Sequence, residues 1–119
     1  MILYAASDLL WASKIKATAD TFALTARPVR TIEMLEARLA DSQPRLLLVD
    51  LDIGASALAM ITRLKGPGAS DQQRAIRVVA FGPHVATELL GAARDAGADE
   101  VLTRGAMNNR LAEVLAGRE

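Results

Sequence analysis

The stretch Pro44-Arg45-Leu46-Leu47-Leu48-Val49-Asp50-Leu51-Asp52-Ile53-Gly54 decides the fold. Four consecutive aliphatic residues run directly into a carboxylate, and a second carboxylate stands two positions later. An apolar run this short, bounded by Pro44 and Gly54, reads as a strand buried on both faces. Strands of that kind belong to parallel sheets covered by helices. The charges begin where the strand ends, and open parallel sheets build their sites at the carboxyl ends of strands. Asp50 is therefore the residue that a functional reading has to explain.

Outward from this strand, apolar runs alternate with helical stripes. Ile2-Leu3-Tyr4-Ala5 is the first strand. Ser7 is placed to cap the helix that follows, with Asp8 in its first turn, and Trp11, Ile15, Thr18 and Phe22 recur at helical spacing. Ala23-Leu24-Thr25-Ala26 reads as a weak second strand stopped by Pro28, and Ile32, Leu35 and Leu39 as the stripe of a second helix. A third helix spans Ala55 to Lys65. Residues Gly66 to Gln73 cluster turn formers without apolar periodicity and read as a surface loop. Ile76 to Phe81 is the fourth strand. A fourth helix then turns Val85, Leu89, Ala93 and Ala96 inward and stops at Gly97. Glu100-Val101-Leu102-Thr103 is a fifth strand, and Met107, Leu111 and Val114 line the last helix. This strict alternation predicts an α/β domain: a single doubly wound, five-stranded parallel sheet with helices on both faces.

Composition narrows the classes of function. At 119 residues, 51% hydrophobic and 24% charged, the chain suits one globular domain over residues 1–119. The tail Ala116-Gly117-Arg118-Glu119 suits either an end or the start of a linker. The formal net charge is zero, so direct nucleic-acid binding is not expected. Cysteine is absent, which excludes disulfides and thiolate metal sites. Met1-Ile2-Leu3-Tyr4 has neither the basic start nor the long apolar core of a signal peptide. No apolar run approaches the roughly 18 residues of a spanning helix. The expectation is a soluble cytoplasmic protein without a membrane partner. Aromatics make up 3% of the chain, too few for a base-stacking platform.

In the predicted sheet the ends of four strands converge on one edge. They bring together Ala6, Ser7 and Asp8; Asp50 and Asp52; Gly82; and Thr103 with Arg104. A carboxylate facing a guanidinium beside a hydroxyl describes either a phosphate or metal site or a structural ion pair. His84 stands alone, without a second His or any Cys, and reads as a flank of the fourth helix rather than a ligand. Asn108 and Asn109 read as surface residues, and Trp11 as core. The Gly66–Gln73 loop is not followed by Lys-Ser or Lys-Thr, so it is no phosphate cradle. A nucleotide-binding reading lacks the Gly-x-Gly-x-x-Gly fingerprint.

Three segments carry a family resemblance. Pro44 to Gly54, Ala96-Gly97-Ala98-Asp99-Glu100-Val101-Leu102-Thr103-Arg104-Gly105 and Ile2 to Ser7 together resemble the receiver domains of bacterial response regulators (CheY-like), over essentially the whole length. The resemblance implies the flavodoxin-like (βα)5 receiver topology, with Asp50 at the phospho-acceptor position. It also implies magnesium, held by an acidic pair after the first strand together with the acceptor, since phosphoryl transfer needs that charge neutralised.

The departures from the family pattern define the functional expectation. The acidic pair falls on Ala6 and Ser7, leaving Asp8 and Asp50 as weak metal candidates. The phosphoryl-binding Ser or Thr falls on Gly82, the Lys on Arg104, its Pro neighbour on Gly105, and the aromatic switch residue on Val101. Arg does not replace Lys neutrally, because its planar fork prefers a carboxylate. Losing these groups removes transition-state interactions worth several kcal/mol. The expectation is a non-enzymatic, cofactor-free pseudo-receiver with a vestigial acceptor, in which Arg104 pairs with Asp50 or Asp52. The resemblance further implies a protein partner, an output domain or a homodimer on the face of the fourth helix, fifth strand and last helix. Glu88, Arg94, Asp95, Val101, Arg110 and Glu113 are the candidates there. The alternative is a working two-component receiver, phosphorylated on Asp50 with weak or non-standard magnesium binding.

Overall fold

The computed structural model describes residues 1–117; Arg118 and Glu119 of the tail lie outside the described residues. Five strands form one parallel sheet in the order β2-β1-β3-β4-β5. The strands are β1 (Ile2–Ala5), β2 (Ala26–Pro28), β3 (Leu46–Asp50), β4 (Arg77–Gly82) and β5 (Glu100–Thr103). Six helices connect and follow them: α1 (Leu9–Thr21), α2 (Ile32–Asp41), α3 (Ala55–Lys65), α4 (Asp71–Arg74), α5 (Thr87–Asp95) and α6 (Arg104–Ala116). A 3-10 turn, Leu51–Ile53, follows β3. β3 is the middle strand, paired in register with β1 (Leu48 beside Tyr4) and β4 (Leu48 beside Val79). All five of its residues are buried, as its aliphatic run requires.

Strand alternation divides the core in two. Leu47 and Val49 pack with Leu35, Met60, Ile61, Leu64 and Ala93 beneath α2, α3 and α5. Leu46 and Leu48 pack with Ile15, Met107, Leu111 and Val114 beneath α1 and α6. By the same alternation Asp50 faces the α1–α6 side. Trp11 belongs to this second layer, its ring 4.8 Å from that of Phe81.

Several boundaries differ from expectation. The second strand is Ala26–Pro28, not residues 23–26: the ladder begins where Ile2 N–H reaches Thr25 O, and Ala23 adopts φ 55° in the turn after α1. Pro28 is tolerated because β2 lies at the edge of the sheet. Asp8, not Ser7, caps α1 by accepting from Trp11 N–H at 2.8 Å. Phe22 ends the helix at 39% exposure instead of extending its buried stripe. Val85 precedes α5 and is 75% exposed; Leu90 and Ala93 supply its buried side. The presumed loop after α3 contains α4, where Ser70 and Gln73 form a reciprocal capping box.

The segment Ala96 to Thr103 has a local physical reason. Gly97 ends the turn after α5 at φ 109°, and Asp99 Oδ2 accepts from Val78 N–H at 2.7 Å, which sets β5 in register beside β4. Lys65 pairs with the same carboxylate at 2.8 Å. A Cβ on Gly97 would lie 2.7 Å from Lys65 Cβ. Gly97→Ala is therefore expected to cost about 1–3 kcal/mol in urea unfolding, through backbone strain and this clash; an unchanged midpoint contradicts the packing described.

Between α2 and α3, Arg63 donates to Glu36 from Nε (2.5 Å) and Nη2 (3.0 Å). These hydrogen bonds hold the Glu36 carboxyl below its ordinary range, against a slight opposing effect of burial. A carboxyl depressed on folding contributes stability above its unfolded pKa and loses it as pH falls through the folded one. Solvent screens this exposed pair, so the increment is small. Melting temperatures of the parent and Glu36→Gln should differ most near neutral pH and converge in acid; a gap that widens on acidification contradicts the pairing.

Candidate functional site

The strand order reverses direction between β1 and β3, the switch point at which doubly wound sheets open a crevice. Asp50 ends β3 at that point and is fully buried, the only charged residue so classed among those described. A bare carboxylate there would be strongly disfavoured, so its partners matter. Ser7, just beyond β1, donates twice to Oδ2: its N–H at 2.9 Å and its hydroxyl. Asp52 N–H donates to Oδ1 at 3.0 Å, and the turn Leu51–Ile53 is capped in this way. The charge itself is met by Arg104, the first residue of α6. Its Nη2 lies 3.4 Å from Asp50 Oδ1 and 2.5 Å from Asp52 Oδ2. The guanidinium is partly enclosed, at 30% side-chain exposure, and its Nε is buried with no hydrogen-bond partner among the described residues.

The structure thus gathers Ser7, Asp50, Asp52 and Arg104 into one cluster, with Arg104 bridging both carboxylates rather than choosing one. Asp8 takes no part in these hydrogen bonds and caps α1 instead. Gly82 ends β4 beside Thr103, and a Cβ there would meet Leu51 and Leu90 no closer than 3.4 Å, an ordinary contact. The Thr103 hydroxyl caps α6 by accepting from Ala106 N–H at 3.2 Å. His84 is exposed on the loop before α5. On the opposite edge, Glu88, Arg94, Asp95 and Glu113 are exposed and Val101 is half-buried. There Arg110 is spent largely on its own fold, pairing with Glu100 at 2.7 Å and lying 3.9 Å from Glu113.

The donor set does not fit a magnesium ion. A hard dication takes several oxygen ligands, usually carboxylates. Ala6 offers none, Asp8 spends one oxygen on the α1 cap, Asp52 is held by the Arg104 cation, and both Asp50 oxygens are engaged by N–H and O–H donors. Among the described residues no group of three or more His, Cys, Asp or Glu side chains is arranged to hold a metal. No described helix is long and apolar enough to cross a membrane.

Sequence reasoning missed one feature at this end of the sheet. A cavity of about 490 Å³ opens beside the cluster, between the β1–α1 turn, the β2–α2 connection and the turn after β3. Val29, Arg30 and Ile53 line it with Ser7, Asp8 and Asp52. No local motif announces it, because its walls come from three separate segments.

Two stability effects follow. Arg104→Ala leaves Asp50 buried without its cation and is expected to cost about 2–4 kcal/mol, the guanidinium's partial exposure moderating the loss. Ser7→Ala removes one charge-assisted hydrogen bond, worth about 1.5–3 kcal/mol. Denaturant unfolding measures both; an Arg104→Ala variant as stable as the parent contradicts the pairing.

No protein-family model matches the sequence. No curated protein matches it either. Solved structures do. The receiver domain of NtrX from Brucella abortus superposes with a TM-score of 0.80 at 19% identity, over 99% of this chain and 97% of that one. A response regulator from Burkholderia pseudomallei, with a phosphorylated aspartic acid, calcium ion and citrate, matches with a TM-score of 0.75 at 18% identity over 96% of this chain. This chain spans 65% of that one. An orphan response regulator of H. pylori gives 0.72 at 18% identity, over 96% of this chain and 94% of that one. The fold is therefore the flavodoxin-like receiver fold.

Proposed function

We propose that this chain is a receiver-type signalling module that acts through protein contacts and does not depend on phosphorylation of Asp50. The fold it shares with response-regulator receivers supports the coarser part of this reading. The observation that carries the finer part is the saturation of Asp50. An acceptor carboxylate must be free to attack phosphorus, with cations placed to neutralise the developing charge. Here Ser7 and Asp52 N–H occupy its oxygens, and Arg104 holds it in a bridge to Asp52. Arg104 thereby supplies in permanent form a positive charge that a bound ion would supply reversibly. The module needs no cofactor in this reading and catalyses no reaction of its own.

Its output surface is the face of α5, β5 and α6, where Glu88, Arg94, Asp95 and Glu113 present mixed charge around the half-buried Val101. Mixed charge of this kind specifies a protein partner or a second copy rather than a nucleic acid. A chain of NtrX from B. abortus, of which this chain spans 27% at a TM-score of 0.76 and 17% identity, carries this fold within a longer chain and so supports a further domain as one such partner.

The test is incubation with acetyl phosphate or beryllofluoride, with and without magnesium. The expected result is no mass increment, no rise in melting temperature and no change in Trp11 fluorescence. A magnesium-dependent phosphoryl adduct on Asp50 overturns the proposal and establishes the chain as a working receiver. The triple variant Ser7→Asp, Gly82→Thr, Arg104→Lys returns an acidic ligand, a hydroxyl and a lysine to the site, and should gain magnesium-dependent labelling that the parent lacks.

A further inference from the structure

The cavity beside Asp50 has the character of a ligand site that the phosphorylation-independent reading leaves unused. It opens at the β1–β3 switch point, where doubly wound sheets take their ligands. It is an open cleft, with Ser7, Asp8, Leu9, Arg30 and Asp52 exposed along it, and its volume of about 490 Å³ lies within the range of small-molecule pockets. The lining is amphipathic. Leu9, Ala12 and Ile53 form an apolar wall, while Arg30, Asp8 and Asp52 supply charge. Arg30 is exposed and, like Arg27 and Arg94, makes no side-chain hydrogen bond or ion pair among the described residues, whereas Arg104 is paired. Asp8 spends one carboxylate oxygen on the α1 cap and enters no ion pair among the described residues. Leu9 is 80% exposed at the cavity wall, so an apolar group seated there would remove surface that the domain leaves open to water.

The lining selects a chemistry. A nucleotide or inorganic phosphate would meet one guanidinium against two carboxylates and no aromatic ring. A metal ion would face an arginine. The complement of one free cation, a carboxylate with an uncommitted oxygen and an adjoining apolar wall is a zwitterion with an apolar substituent. The geometry points to an effector site for an α-amino acid with an apolar side chain, its carboxylate on Arg30 and its ammonium between Asp8 and Asp52. This inference rests on the phosphorylation-independent reading, because it supplies that module with an input.

Asp52 makes the site an effector site rather than a passive pocket. It lines the cavity and also accepts from Arg104, the first residue of α6. An ammonium group beside Asp52 competes with Arg104 for its carboxylate. The ligand's differential interaction with the paired and unpaired arrangements is then felt at the amino end of α6.

The test is calorimetric titration of the full chain with L-leucine and L-phenylalanine, without any phosphoryl donor, against isovalerate and isopentylamine as single-charge controls. Both amino acids are expected to bind, and each control more weakly by about tenfold or more. Arg30→Met, which keeps the apolar stem, and Asp8→Ser, which keeps an N-cap, should each weaken amino-acid binding by about tenfold. Amide spectra should show shifts at Leu9 and Ile53 and also at Gly105. No binding of either amino acid, or binding that both variants leave unchanged, overturns the site. Binding without any shift at Gly105 overturns its effector role. Phosphorylation of Asp50 in the separate acetyl phosphate assay would overturn the underlying reading without touching these outcomes.

Discussion

A carboxylate sealed from solvent is the constraint on which this structure depends. Placing Asp50 at 0% exposure at the end of the central strand costs several kcal/mol of hydration, and the fold persists only if neighbouring groups restore it. Four donors do so, from three different segments: the N–H and hydroxyl of Ser7, the N–H of Asp52 and the guanidinium of Arg104. Each ties the end of one element to β3. Ser7 fixes the turn from β1 into α1, Asp52 shapes the 3-10 turn, and Arg104 draws the amino end of α6 across the sheet edge. Together these donors form a knot that closes the top of the domain.

The fold was legible because its period signals were strong. The run Leu46–Asp50 has a single reading as a strand buried on both faces, and the limits of β1, β3, α3 and β5 follow directly from apolar runs and helical stripes. Failures occurred where local preference and tertiary context disagreed. Ala23 and Leu24 look like strand residues, yet β2 begins only at Ala26, once Ile2 offers a partner for Thr25 O. Val85 looks like the start of a buried stripe, but α5 starts two residues later and buries Leu90 instead. Ser7 and Asp8 are both good caps. Asp50 took Ser7 from the end of the adjacent strand, and only Asp8 was left for the helix.

The site was legible in part. Asp50 and Arg104 could be paired on paper because strand ends converge in a doubly wound sheet, and the preference of arginine for carboxylates narrowed its partners to Asp50 and Asp52. That Arg104 holds both at once depends on the turn Leu51–Ile53, which brings the two carboxylates to the same side. The hydroxyl of Ser7 could not be assigned to Asp50, because a contact between residues so distant in sequence leaves no periodic trace. Arg30 was invisible for the same reason. It follows the edge strand without any motif, and only the folded chain shows that it lines the same cleft as Asp8 and Asp52.

If Arg104 substitutes internally for a dissociable cation, the charge balance at Asp50 becomes a property of the fold rather than of a bound ion or a phosphoryl group. Signals must then enter and leave by surfaces and cavities, not by chemistry at β3. The most direct test of this central claim is a double-mutant cycle of Asp50→Asn and Arg104→Ala, read by denaturant unfolding in the absence of magnesium. The account predicts that the double variant is more stable than the two single losses imply, with a coupling above about 1 kcal/mol, because the part of the Arg104 loss that comes from leaving Asp50 unpaired disappears once Asp50 is neutral, while the part due to Asp52 remains. Strict additivity of the two losses would contradict it.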